Sequence, residues 1–86
     1  MPRISEFYGI AIYMYYQDHA PPHFHAFYGE NEAEVLIASG SIRSGTLPRR
    51  AMMLVQEWAR SHQLELDNNW QSARNGTPLR PIDPLP

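Results

Sequence analysis

Apolar positions alternate through the first half of the chain and recur at helical spacing through the second. Residues 7–16 read as one strand: Ile10, Ile12, Met14 and Tyr16 share a face by the period of two, and Ala11, Tyr13 and Tyr15 share the other. Gln17-Asp18 ends it. Pro21 and Pro22 lack N–H donors and continue neither a ladder nor a helix. Residues 23–28 form the next strand, with Phe24, Ala26 and Tyr28 on one face and His23, His25 and Phe27 on the other. Gly29-Glu30-Asn31-Glu32 is the turn of a hairpin. Residues 33–38 are a third strand, with Ala33, Val35 and Ile37 inward and Glu34 outward, and residues 42–45 are a short edge strand. Met1 to Glu6 is a lead-in.

The second half is helical. Thr46 is the expected N-cap and Pro48 suits a first turn, so the spacing of Ala51, Leu54, Val55, Trp58 and His62 predicts a helix over 47–61. Leu66, Trp70 and Ala73 predict a second over 64–75, with Gly76 as its C-cap. Residues 77–86 hold four prolines in ten and read as an extended tail, free or draped over a neighbour. Strands followed by helices give an α+β fold: a small antiparallel sheet of three to four strands with two helices packed on one face. Residues 1–76 are its single domain. Trp58, Leu54 and Val55 are expected to cover the face of Ile10, Ile12, Met14, Phe24, Val35 and Ile37.

Composition narrows the class. Eighty-six residues make one small domain, and 43% hydrophobic content is enough for a modest core. The chain has no Cys and therefore no disulfide framework or thiolate chemistry. The first residues lack the apolar stretch of a signal peptide, and no apolar run reaches membrane-spanning length. A cytoplasmic location follows as an expectation. Seven arginines, no lysine and nine acids give a net charge of −2. Nucleic-acid binders draw affinity from a basic excess, so direct DNA or RNA binding is disfavoured.

The chemistry concentrates in Asp18-His19-Ala20-Pro21-Pro22-His23-Phe24-His25, which holds three of the four histidines. His23 and His25, two apart on a strand, point the same way and can present two metal ligands, with His19 or an acid completing the set. The spacing to Glu30 is similar to the first motif of cupin metal sites. The flanking glycines of that motif are absent, however, since Gln17 and Ile37 occupy their places. Alternatively, Asp18, His19, His23 and His25 serve acid–base catalysis. A third reading makes the histidines partners for backbone groups that the prolines leave unpaired. Arg49 and Arg50 oppose the helix dipole in a first turn, which suits an anion-binding site. Ion pairs to Glu32, Glu34 or Glu57 are the plainer account of them. Tyr13, Tyr15 and Phe27 lie on the face the helices leave open and are candidate interface residues, for a partner or for self-association.

Met1 to Ile10, the stretch Asp18-His19-Ala20-Pro21-Pro22-His23-Phe24-His25-Ala26, Leu47-Pro48-Arg49-Arg50-Ala51, Glu57-Trp58-Ala59 and Asn69-Trp70 together resemble a family of short bacterial proteins. It is the domain-of-unknown-function family numbered forty-one sixty. The resemblance implies a small cytosolic prokaryotic protein, with members often encoded beside a second small protein in an arrangement similar to toxin–antitoxin modules. It brings no catalytic residues. The resulting expectation is a protein-interaction component of a two-gene toxin–antitoxin-like or regulatory pair, without a cofactor. The alternative is a small histidine- or metal-dependent enzyme acting on a phosphate-containing substrate, with a divalent metal as its cofactor. A DNA-binding regulator is the weaker alternative.

Overall fold

The computed structural model describes residues 2–86. Five strands form one antiparallel meander: β1 (Arg3–Phe7), β2 (Ile10–Tyr13), β3 (His23–Tyr28), β4 (Asn31–Leu36) and β5 (Ile42–Gly45), adjacent in chain order. Two helices follow, α1 (Arg49–Ser61) and α2 (Gln63–Asn75). The α+β class holds, with five strands instead of three to four.

The extra strand comes from the segment expected to be one strand over 7–16. Tyr8 and Gly9 both take positive φ, 50° and 77°, and form a two-residue turn that pairs Phe7 with Ile10. Such primed turns match the twist of the strands they join, and Gly9 supplies the left-handed position. Most of the expected lead-in is therefore the edge strand β1, while Met1 lies outside the described residues. The ladder ends at Tyr13, so Tyr16 does not join the inner face and is exposed. The second hairpin is also tighter than expected. Gly29-Glu30 alone forms its turn, and Asn31 and Glu32 pair with Tyr28 and Phe27.

The core lies where the alternation put it. Ile10, Ile12, Met14, Phe24, Val35 and Ile37 are fully buried, together with Val55 and Trp58 of α1. The Trp58 ring packs on Phe7 and Phe24, with centroids 5.3 and 5.7 Å away. Each such side chain contributes ~1.5–3 kcal/mol when removed from water. Pro48, not Thr46, holds the N-cap position of α1, and no side chain caps the helix. The proline there is tolerated because its missing N–H would have no helical partner. Gly76 closes α2 in the left-handed conformation, as the sequence predicts. Gly45 has a stricter role. A Cβ there would stand 2.1 Å from the Glu32 carbonyl oxygen, so the close approach of β5 to β4 requires glycine.

The proline-rich segment packs along the domain without forming a helix or strand. Ile82 is buried, and its N–H donates to the Ile4 carbonyl at 2.7 Å, covering part of the β1 edge. The Trp58 indole N–H donates to the Asp83 carbonyl at 2.8 Å. Buried Asn69 clamps Arg80 from both sides: its amide donates to the Arg80 carbonyl and its oxygen accepts the Arg80 N–H, each at 2.9 Å. No helix is long and apolar enough to cross a membrane among the described residues.

Replacing Asn69 with Ala removes both bonds of that clamp. The expected loss is about 2 kcal/mol, the net worth of two hydrogen bonds in a buried setting. Urea unfolding followed by tryptophan fluorescence measures it. An unchanged midpoint would show that the segment is held without the clamp.

Candidate functional site

His23 and His25 alternate on β3, the central strand, so both rings leave the sheet on the face opposite Phe24 and Ala26. Both are buried, at 2% and 6% exposure, although that face is not the one Trp58 covers. The cover is local. After β2 the chain folds back over the rings: Tyr15 packs on His25 with the rings tilted by 43° and centroids 4.2 Å apart, and Trp70 of α2 lies 5.4 Å from His23. Gln17 takes a left-handed φ of 55°, and its N–H donates to the Ala73 carbonyl at 3.2 Å, which fixes the loop on α2. Pro21 and Pro22, the former after a cis peptide, return the chain to β3. Their carbonyls stay in use. That of Pro22 accepts the Ile37 N–H at 3.1 Å, and that of Pro21 faces His23 Nδ1 at 2.8 Å.

This loop delivers Asp18 to the two rings. Its Oδ2 stands 3.1 Å from His23 Nε2 and 3.0 Å from His25 Nε2, and its Oδ1 accepts the His19 N–H at 2.8 Å. Two more carboxylates come from β4. Glu32 Oε2 is 3.3 Å from His25 Nδ1, and Glu34 Oε1 is 3.6 Å from His23 Nε2. Arg43 of β5 completes the cluster, 3.8 Å from Glu34. Its guanidinium also lies 3.4 Å from His23 Nδ1. That nitrogen donates to the much closer Pro21 carbonyl, so the Arg43 contact is a packing contact between two donors.

Both rings therefore face oxygens at both nitrogens. A neutral imidazole carries one N–H and cannot donate twice. With Nδ1–H given to Pro21 and to Glu32, each Nε2 needs either a second proton or a cation between it and Asp18. One ligand atom from each of Asp18, His23 and His25 lies within 4.8 Å of the others. Ligands ~2.1 Å from an ion are about 3.0 Å apart in an octahedron and about 3.4 Å apart in a tetrahedron. The 3.0 and 3.1 Å separations between Asp18 and the two Nε2 atoms fall at that scale. Nδ1–H bonds to a carbonyl and a carboxylate are also the outer contacts that metal-binding histidines make.

Other expected site residues lie elsewhere. His19 is exposed and its ring is not among the grouped ligand atoms, so the structure replaces it with Asp18 beside His23 and His25. Glu30 sits in the turn, outside the cluster. Arg49 and Arg50 line grooves with Met53, Leu54 and Glu57 that share no residue with the centre. The arginine ion pairs among the described residues are Arg3–Glu6 and Arg43–Glu34, so neither helix-start arginine makes the expected surface pair. Tyr13, Tyr15 and Phe27 are half-buried, Tyr13 edge-on to Phe27 at 5.4 Å and Tyr15 on His25. Glu32, Glu34 and Arg43 were missed as site residues. The two-residue turn would have revealed the two acids, because it sets Glu34 directly opposite His25.

Burial alone raises the Asp18 carboxyl. The bond from His25, the His19 N–H and the charges of His23 and His25 outweigh it and hold the group below its ordinary value. Burial first, then Glu32 and Asp18, push the Tyr15 phenol up, so it stays protonated against the cluster.

Residues 9–71 match the family model described as "Domain of unknown function (DUF4160)". No curated protein and no solved structure matches the chain.

A carboxyl lowered in the folded state stabilises the fold above its unfolded value, and that stability is lost as pH falls through the folded value. In chelator-treated protein, the urea midpoint should therefore fall more between pH 6 and pH 3 in the wild type than in Asp18→Asn. Equal falls would remove Asp18 from the acid response.

Proposed function

The chain belongs to this domain-of-unknown-function family, and we propose that it is a divalent-metal-binding protein of the small-enzyme class. His23, His25 and Asp18 are the ligands and Glu34 is the nearest further donor. The observation that carries this reading is the commitment of both nitrogens of both rings to oxygen acceptors. Charge supports it. Asp18, Glu32 and Glu34 surround the rings, with Arg43 as the one guanidinium in contact among the described residues, an excess of two negative charges. A divalent cation matches that excess. The mixed nitrogen and oxygen donors suit zinc, iron, manganese or cobalt. The side chain of Asp18 is 19% exposed and that of Glu34 29%, against 1% and 7% for the histidines. The centre thus opens toward solvent on its acidic side, where a catalytic ion keeps a free position and makes bound water acidic.

Elemental mass spectrometry of tag-free protein should find about one such metal per chain, with a melting temperature that falls on chelation. His25→Ala should lose the metal while keeping its far-ultraviolet circular dichroism. Metal-free wild type with no metal uptake and no chelator effect would return the histidines to a structural role.

A second reading keeps the interaction role, in the cytoplasm and with a small protein from a neighbouring gene as partner, in a toxin–antitoxin-like or regulatory pair. One observation favours it. Tyr8 and Tyr28, 60% and 39% exposed, flank a groove of about 300 Å³ that Leu54, Leu85 and Pro86 also line. Exposed aromatic surface of this kind marks protein contacts. Size exclusion of the co-expressed pair should give one shared peak that Tyr28→Asp splits. Two independent peaks for the wild type at micromolar concentration would count against it.

A further inference from the structure

Two arginines stand beside the centre, and only one is engaged. Arg43 faces Glu34 at 3.8 Å. Arg74, in the last turn of α2, makes no ion pair among the described residues. With Gln17, Asp18, His19 and Ala20 it lines a surface groove of about 470 Å³. Asp18 is common to both places: its Oδ2 faces the two Nε2 atoms, and its residue walls the groove. The groove is also a fixed one. Gln17 holds a left-handed φ of 55°, which non-glycine residues rarely adopt, and its N–H bond to the Ala73 carbonyl anchors the loop one residue from Arg74.

We infer that this groove holds the substrate of the metal centre, and that the substrate is an oxyanion, a phosphate or a carboxylate, gripped by Arg74 and His19. This rests on the metal-binding reading above. The guanidinium is a planar fork of donors matched to two oxygens of such a group, and it is permanently charged. The exposed His19 ring adds a further donor. The Asp18 carboxylate opposes an anion in the same groove. A divalent cation on Asp18 Oδ2 reverses that field, so metal and oxyanion bind with positive coupling, and each raises the affinity of the other by the same factor. Arg49 and Arg50, where the sequence suggested an anion contact, share no groove with the centre, so that contact is assigned to Arg74.

Cobalt(II) tests this, because its visible absorption reports both the centre and any ligand that reaches it. Cobalt-loaded wild type, Arg74→Gln and His19→Gln are titrated with inorganic phosphate and, in parallel, with acetate. Phosphate should perturb the band in the wild type, and Arg74→Gln should raise the half-saturating concentration ~10-fold, equivalent to ~1.4 kcal/mol. His19→Gln should raise it less. Melting temperature should be unchanged and cobalt affinity should not fall in either variant. The anion with the larger Arg74-dependent effect identifies the group. An Arg74→Gln titration that overlays the wild type overturns the groove while leaving the metal reading in place. If cobalt does not bind at all, the metal reading falls, and calorimetry of phosphate into the metal-free chain decides the groove alone. Binding that Arg74→Gln weakens then keeps the groove as an oxyanion site but overturns its role as the substrate site of a metal centre; no binding overturns both.

Discussion

His25 has a carboxylate at each ring nitrogen, Glu32 at 3.3 Å and Asp18 at 3.0 Å, and the rest of the open sheet face is arranged to keep it so. The ring cannot leave the central strand, because the alternation that buries Phe24 and Ala26 on one side fixes His23 and His25 on the other. It cannot be left in water either, because Tyr15 lies over it. A polar group removed from solvent must find partners within the protein, and each unmade bond costs about 1–3 kcal/mol. The loop from Met14 to Pro22 supplies one of those partners, Asp18, and β4 supplies the other, Glu32. The loop is the longest connection in the sheet, and the neighbouring turns need only two residues where the tightest hairpins suffice.

That loop depends in turn on the helices. Gln17 is tied to Ala73, and His23 rests on Trp70, so the position of Asp18 is set by the last turns of α2. The position of α2 is set partly by the proline-rich segment, through Asn69 and Arg80, and that segment also bonds Trp58 and Ile4. A chain of this size buries too small a core to hold a polar cluster by itself. The C-terminal segment adds backbone bonds to the far layer and so stiffens the support under the loop. Prolines suit this task because their fixed φ reduces the entropy lost on docking.

The period-two alternation was enough to place the inner face, and the helical spacing to place the two helices and the buried tryptophans, because those rest on burial, which sequence pattern reports directly. Turn chemistry decided the rest. Tyr8-Gly9 was hidden inside a run of apolar residues, and a tyrosine with positive φ has no signature in composition. Reading through it merged two strands and lost the edge. The same weakness hid Glu32 and Glu34. A four-residue turn leaves Glu32 in the loop and sets Glu34 opposite Phe27, whereas the two-residue turn pairs Glu32 with Phe27 and brings Glu34 opposite His25. Asp18, His23 and His25 were legible as chemistry but not as a set, since only the path of the loop distinguishes Asp18 from its neighbour His19. Arg43 and Arg74 carried no sequence signal, because their relevance comes from tertiary proximity alone.

Two accounts of the centre remain physically comparable until charge is counted. In the structural account, both imidazoles carry two protons and bridge the carboxylates as buried ion pairs. Such pairs gain little, because desolvating the charges offsets most of their attraction, and a packed apolar substitute is often as stable. Stability therefore gives no reason to assemble two histidines and three carboxylates under a tyrosine. In the metal account, one divalent ion replaces the two Nε2 protons, so the charge of the cluster is unchanged while the Nδ1–H bonds to Pro21 and Glu32 persist. In that account the Asp18 carboxylate already stands 3.1 and 3.0 Å from the two Nε2 atoms, at the scale of ligand edges. A tetrahedral ion bound there would require those two separations to spread by only ~0.3 Å, from hydrogen-bond distances to ligand edges.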